Sequence, residues 1–158
     1  MNISWEEYFM GVAQLSSLRS KDPHTKVGAC IVGTDNKIKS CGYNGFPKLV
    51  YENDDRLPWN REGDWLKTKY PYVAHAELNA ILNARERLDN CILYVTLFPC
   101  NECAKAIIQA GIKSIVYLED TKHGSDEAAA AREMFHLADI NLYKYKARVL
   151  VPEFRERN

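Results

Sequence analysis

No stretch of this chain is apolar for long enough to cross a bilayer as a helix, and neither sign of charge is in excess. The 21 basic residues match the 21 acidic ones, which leaves no broad positive field for a nucleic-acid backbone and no basic stripe for a membrane surface. Internal repeats and low-complexity tracts are missing too, so the chain is organised neither as a solenoid nor around a disordered linker. The amino terminus, "MNISWEEYFM", carries two glutamates and lacks the basic flank and apolar run of a secretory signal. Cysteines are few and odd in number, five, with two of them in a tight C-x-x-C. That usage fits metal or redox chemistry in a reducing compartment better than a secreted disulfide scaffold. These absences predict a cytoplasmic protein whose partners include no nucleic-acid polymer and no membrane.

At 158 residues the chain is long enough to bury a real core, and it reads as one domain over 1–158. Ser4 followed by Glu7 is a capping box, and Trp5, Phe9, Val12 and Leu15 recur at helical spacing, so a first helix is expected over residues 5–19. Asp22 and Pro23 end it. Two β segments, 27–32 and 37–42, flank the turn residues Gly33, Asp35 and Asn36 and read as a hairpin. Residues 44–70 show no sustained period and suit a long surface excursion. A regular alternation follows: helix 75–87, strand 92–97, helix 100–110, strand 114–118, helix 126–138, strand 142–145. Strands alternating with helices imply parallel pairing, and the expected fold is α/β: a three-layer α/β/α sandwich on a mixed sheet of about five strands.

The chemistry concentrates in "HAELNAI" at 75–81 and "FPCNEC" at 98–103. Thiols three apart in the first turn of a helix can point at one spot, where the helix amino terminus favours their negative charge. Cys100 and Cys103 fit that arrangement, with Pro99 just before them. Taken alone they equally suit a thioredoxin-like redox pair or half of a structural zinc site. His75 alone would be an ordinary core histidine, and Glu77 alone a solvated helix residue. Together, His75, Cys100 and Cys103 make three ligands for Zn2+ with a fourth tetrahedral position left for solvent, while Glu77 stands beside the metal as a proton carrier. H-x-E combined with P-C-x-x-C is the known signature of zinc deaminases. Cys30, Cys41 and Cys91 lie in or beside β segments and read as small buried hydrophobes, and His24, His123 and His136 are given no role. Ser20, Lys21 and Lys26, near the end of the first helix, are candidates for holding a substrate phosphate.

Beyond this signature, "RSKDPHTKVGACIV", "GYNGFP", "LPWNR", "KYPYVAHAELNAI", "LFPCNECAKAIIQAGIK" and "HGSDEAAAAR" span nearly the whole chain. Through them it resembles the deoxycytidylate (dCMP) deaminase branch of the zinc-dependent cytidine deaminase superfamily. The resemblance implies a cytidine deaminase-like fold, hydrolysis of dCMP to dUMP and ammonia, and one Zn2+ per subunit held by His75, Cys100 and Cys103. It implies Glu77 as the proton shuttle and Asn44 as a sugar contact. It further implies a homohexamer activated by dCTP and inhibited by dTTP, with Mg2+ accompanying the effectors and Gly42, Tyr43, Asn44 and Gly45 near the effector pocket. Two departures stand out. Val73 occupies the position where some viral relatives place a histidine for a second zinc, and Thr121 and Lys122 stand where relatives place a tyrosine near the substrate. Lys122 is therefore added to the substrate-binding candidates. The rival enzymes are deaminases of tRNA adenosine, of polynucleotide cytosine, of nucleosides and of the riboflavin pathway. A rival from another class is a non-catalytic zinc module closed by a fourth ligand such as His24.

Overall fold

The computed structural model describes residues 1–50 and 58–157. Leu57 of "LPWNR" and part of the excursion expected over 44–70 lie outside the described residues. The first helix, α1 (Trp5–Ser17), begins with the expected capping box: the Glu7 amide donates to Ser4 Oγ at 3.1 Å, and the Ser4 amide donates to Glu7 Oε2 at 2.8 Å. The hairpin follows as β1 (Gly28–Val32) and β2 (Ile38–Tyr43), turned through Asn36 at φ 61°. Then come α2 (Ala76–Asn83), β3 (Ile92–Leu97), α3 (Asn101–Gln109), β4 (Ser114–Glu119), α4 (Asp126–Leu137) and β5 (Asn141–Lys144). A 3-10 turn at Trp65–Lys67 precedes α2.

The five strands form one mixed sheet in the order β2-β1-β3-β4-β5. β1 runs antiparallel to both β2 and β3, whereas β3, β4 and β5 are mutually parallel, as helical crossovers through α3 and α4 require. Side chains alternate between the two faces of a strand, and the core divides accordingly. Ala29, Ile31, Leu93, Val95 and Ile115 face α2, α3 and α4 through Ala80, Ile107 and Phe135. Cys30, Val32, Tyr94 and Val116 face the other way, onto Phe9, Met10 and Ala13 of α1. The expected three-layer α/β/α arrangement is present, with α1 as one outer layer. Ile31, Leu93, Val95, Ile107, Ile115 and Phe135 are sealed from solvent, each stabilising by about 1.5–3 kcal/mol. Apolar burial, and not the thiol cluster, carries the fold.

Most boundaries fall within two residues of the sequence expectation, and the end of α2 departs further. The helix expected over 75–87 stops at Asn83, because Ala84 turns extended at φ −65° and ψ 138°. The chain after it drops Leu88 and Cys91 into the core, where Leu88 is 4% and Cys91 3% exposed. Burying those two side chains outweighs one more exposed helical turn over the charged run at 85–87. Among the described residues, no helix is long and apolar enough to cross a membrane.

Candidate active site

His75 is the N-cap of α2 and Cys100 the N-cap of α3, both with extended backbone and without a side-chain capping bond. Each side chain is therefore free to turn away from its own helix. Cys103 lies one turn into α3, so both thiols leave the amino end of one helix towards the imidazole at the amino end of the other. Nδ1 of His75 stands 3.5 Å from Sγ of Cys100 and 3.5 Å from Sγ of Cys103. The three donor atoms all lie within 4.8 Å of one another, and among the described residues no other group of His, Cys, Asp or Glu does so.

The donor set fits zinc. A tetrahedral ion with nitrogen at about 2.0 Å and sulfur at about 2.3 Å spaces its nitrogen and sulfur ligands about 3.5 Å apart, the separation found here. The electrostatics agree. The hydrogen bond from Cys103 lowers the Cys100 thiol to about 3 against the opposing effect of burial, with His75 adding to the lowering. Cys103 is pushed far up by the same pairing and by its burial. The site thus favours negative charge on sulfur, and a divalent ion would bind both cysteines as thiolates with release of protons. His75 is raised chiefly by its bond to Cys100.

Glu77, in the first turn of α2, is 4% exposed. Burial pushes its carboxyl up, a push that the neighbouring His75 only partly offsets. It sits on the wall of a cleft shared with His75, Cys100, Phe98, Asn44 and Lys122. Phe98 is braced from behind by Tyr117 in an edge-on contact, centroids 4.9 Å apart, and by the Arg132 guanidinium 4.2 Å over its ring. Arg132 in turn pairs with Asp120.

Of the substrate candidates, the structure brings Asn44 and Lys122 to this cleft and leaves Ser20, Lys21 and Lys26 off its wall. Ser20 is buried, and its hydroxyl donates to the Asn44 carbonyl at 2.9 Å. Lys21 and Lys26 are exposed. The Asn44 amide is already engaged, with Oδ1 accepting from the Val27 amide at 2.8 Å and Nδ2 donating to the Thr25 carbonyl at 2.9 Å. It pins the loop that enters β1, and one lone pair of Oδ1 remains for a ligand.

The "GYNG" residues expected at an effector pocket have internal work as well. A Cβ on Gly42 would strike the Ala76 carbonyl and the Ala80 amide, so only glycine lets α2 lie this close to β2. The Tyr43 carbonyl accepts from Asn79, and Gly45 bridges to Ala74, next to His75. The segment clamps the start of α2.

Sequence reasoning missed Asp22 and Lys69. Both are buried at the cleft wall, where they form an ion pair, and Asp22 Oδ1 also accepts from the His24 and Thr25 amides at 2.8 and 3.1 Å. Asp22 appeared only as a helix stop. The one signal was its place next to proline in a turn, where aspartate holds backbone amides.

Comparison with known proteins agrees with this geometry. The family description "Cytidine and deoxycytidylate deaminase zinc-binding region" matches residues 3–119. The chain is 55% identical over 145 residues to deoxycytidylate deaminase of Homo sapiens, covering 90% of this chain and 80% of that protein. It is 45% identical over 150 residues to a probable deoxycytidylate deaminase of Drosophila melanogaster, covering 90% and 73%. Among solved structures it resembles the dCMP deaminase of cyanophage S-TIM5 in complex with dCMP and dUMP, with TM-score 0.73, 28% identity, and 92% of this chain and 99% of that one covered.

Proposed function

The chain belongs to the cytidine and deoxycytidylate deaminases that share a zinc-binding region, and from that membership we propose that it hydrolyses dCMP to dUMP and ammonia. The observation that carries the reading is the convergence of His75, Cys100 and Cys103 beside a buried carboxyl, Glu77, on one cleft. We assign the first three as ligands of one Zn2+ per chain. Zinc bound there would acidify a water molecule and supply the attacking oxygen near neutral pH.

The chain's own groups account for the rest. Glu77, kept from bulk water, takes a proton from that water and delivers it to N3 of the cytosine ring as C4 is attacked, then passes a second proton to the exocyclic amine. Water is consumed, the C4–N bond breaks and ammonia leaves. Phe98 offers an apolar wall for the base, and the spare acceptor of Asn44 suits a sugar hydroxyl. Lys122 suits the phosphate, with Lys26, which lines an adjoining groove together with Lys122, as a second candidate cation, while Ser20 acts through its bond to the Asn44 carbonyl and Lys21 lines neither groove.

The reading extends to a single-domain cytoplasmic enzyme of nucleotide metabolism, activated by dCTP, inhibited by dTTP, with Mg2+ accompanying the effectors, and assembled as a hexamer. Free thiols among the described residues suit the compartment. The exposed Trp5, Leu15 and Leu18 along α1 suit subunit contacts. Ammonia release from dCMP, CMP, deoxycytidine and cytidine, each with and without dCTP and dTTP, tests substrate and regulation together. Preference for dCMP supports the reading. Equal turnover of deoxycytidine would remove the phosphate from it.

A further inference from the structure

Cys30 and Cys41 are directly opposed residues of the β1–β2 hairpin. Opposed residues of antiparallel strands have Cα atoms about 4.5–5.5 Å apart, within the range of about 4.4–6.8 Å that a disulfide spans. Both side chains point to the α1 face, where Cys30 belongs to the buried cluster of Phe9 and Met10 and Cys41 packs at its edge. Both are free thiols. Their exposures differ: Cys30 is sealed and Cys41 half-buried, so a small oxidant meets Cys41 first.

We propose that Cys41 and Cys30 form a peroxide-responsive oxidation site that closes a reversible disulfide across the hairpin. The Cys41 thiolate attacks one oxygen of hydrogen peroxide and breaks the O–O bond, giving a sulfenic acid and hydroxide. The Cys30 sulfur then attacks the Cys41 sulfur, the S–O bond breaks, and water leaves with the Cys30 proton. Peroxide is reduced to two water equivalents, and two thiols are oxidised to one disulfide. No strand has to shift, because the register already faces the sulfurs together.

Acidity supports the order of events. The hydrogen bond from Cys30 lowers the Cys41 thiol to about 7 despite the opposing burial, with Ser16 helping, while Cys30 is pushed far up by the same bond. A thiol whose acidity lies near ambient pH is the faster nucleophile. The other cysteines are placed differently. Cys91 is buried on the opposite side of the sheet, and Cys100 and Cys103 belong to the metal cluster. The proposal stands apart from the assignment of substrate.

The test uses zinc-loaded protein treated with hydrogen peroxide in slight excess, then alkylated under denaturing conditions and mapped by peptide mass. The expected result is a Cys30–Cys41 linked peptide, about 2 Da lighter than the two free peptides together, that disappears on reduction. C41S should abolish the link and leave Cys30 alkylated. C30A, which keeps a small apolar group in the core, should instead accumulate a Cys41 sulfenic acid that a dimedone-type probe captures. The proposal is overturned if both thiols stay fully alkylatable while other cysteines oxidise, or if Cys41 passes to sulfinic acid in the native chain without forming the link.

Discussion

The ammonium of Lys69 and the carboxylate of Asp22, 47 positions apart in sequence, meet as an ion pair almost entirely out of reach of solvent. The pair ties the loop before β1 to the segment before α2, and both of those segments line the cleft. Removing one partner strands the other charge in a site that cannot hydrate it. Lys69→Ala is expected to lower unfolding stability by about 3–5 kcal/mol, read from urea midpoints. Lys69→Ala combined with Asp22→Ala should recover part of that loss.

The same contact sets an acid limb. Burial by itself would raise the Asp22 carboxyl, but Lys69 and the His24 and Thr25 amides together hold it below the ordinary value of 3.8. A carboxyl depressed on folding contributes its stability above the unfolded value and loses it as pH falls through the folded one. Stability should therefore decline below about pH 4, and Asp22→Asn should flatten part of that decline. The remaining slope belongs to carboxyls such as Glu7, which the hydrogen bond from Arg148 lowers to about 2. Denaturant midpoints at several pH values check both.

Gly42 is tested by adding one methyl. Gly42→Ala drives a Cβ into the backbone of α2, and the helix cannot move away without dragging His75 at its amino end. Destabilisation by about 1–3 kcal/mol is expected, with zinc affinity falling alongside. Thermal melts and metal titration measure the two effects.

Glu77→Gln keeps the shape of the side chain and removes its proton traffic. Stoichiometric zinc and an unchanged melting curve are expected, with turnover reduced by about 100-fold to 10,000-fold. Cys100→Ala should lose the metal and turnover with it, while the apolar core holds the fold. Metal analysis beside an ammonia assay separates the two variants.

Most of the architecture was legible because it rests on periodic burial. The strand 92–97 and the capping box at Ser4 and Glu7 lie where their patterns put them. The end of α2 was not legible, since it depends on Leu88 and Cys91 finding space beneath the sheet, a tertiary gain that local spacing does not encode. At the site, the H-x-E and P-C-x-x-C spacings pointed to His75, Cys100 and Cys103, and the fold sets the imidazole nitrogen 3.5 Å from each sulfur. The Asp22–Lys69 pair stayed hidden because nothing in a 47-residue separation shows that two charges will be buried together. Ser20 and Lys26 have suitable hydroxyl and charge chemistry, but only the fold shows that Ser20 turns its hydroxyl onto the Asn44 carbonyl and that Lys26 lines a neighbouring groove together with Lys122. Cys30 and Cys41 were read singly as core fillers, and only the strand register sets them face to face.

The most direct measurement is a zinc titration of chelator-treated protein, following conversion of dCMP to dUMP at each addition. Turnover should rise with metal, saturate at one equivalent per chain and stay near zero throughout in Glu77→Gln. Full activity before any zinc is added, or a saturated zinc site that leaves dCMP untouched, would contradict the account.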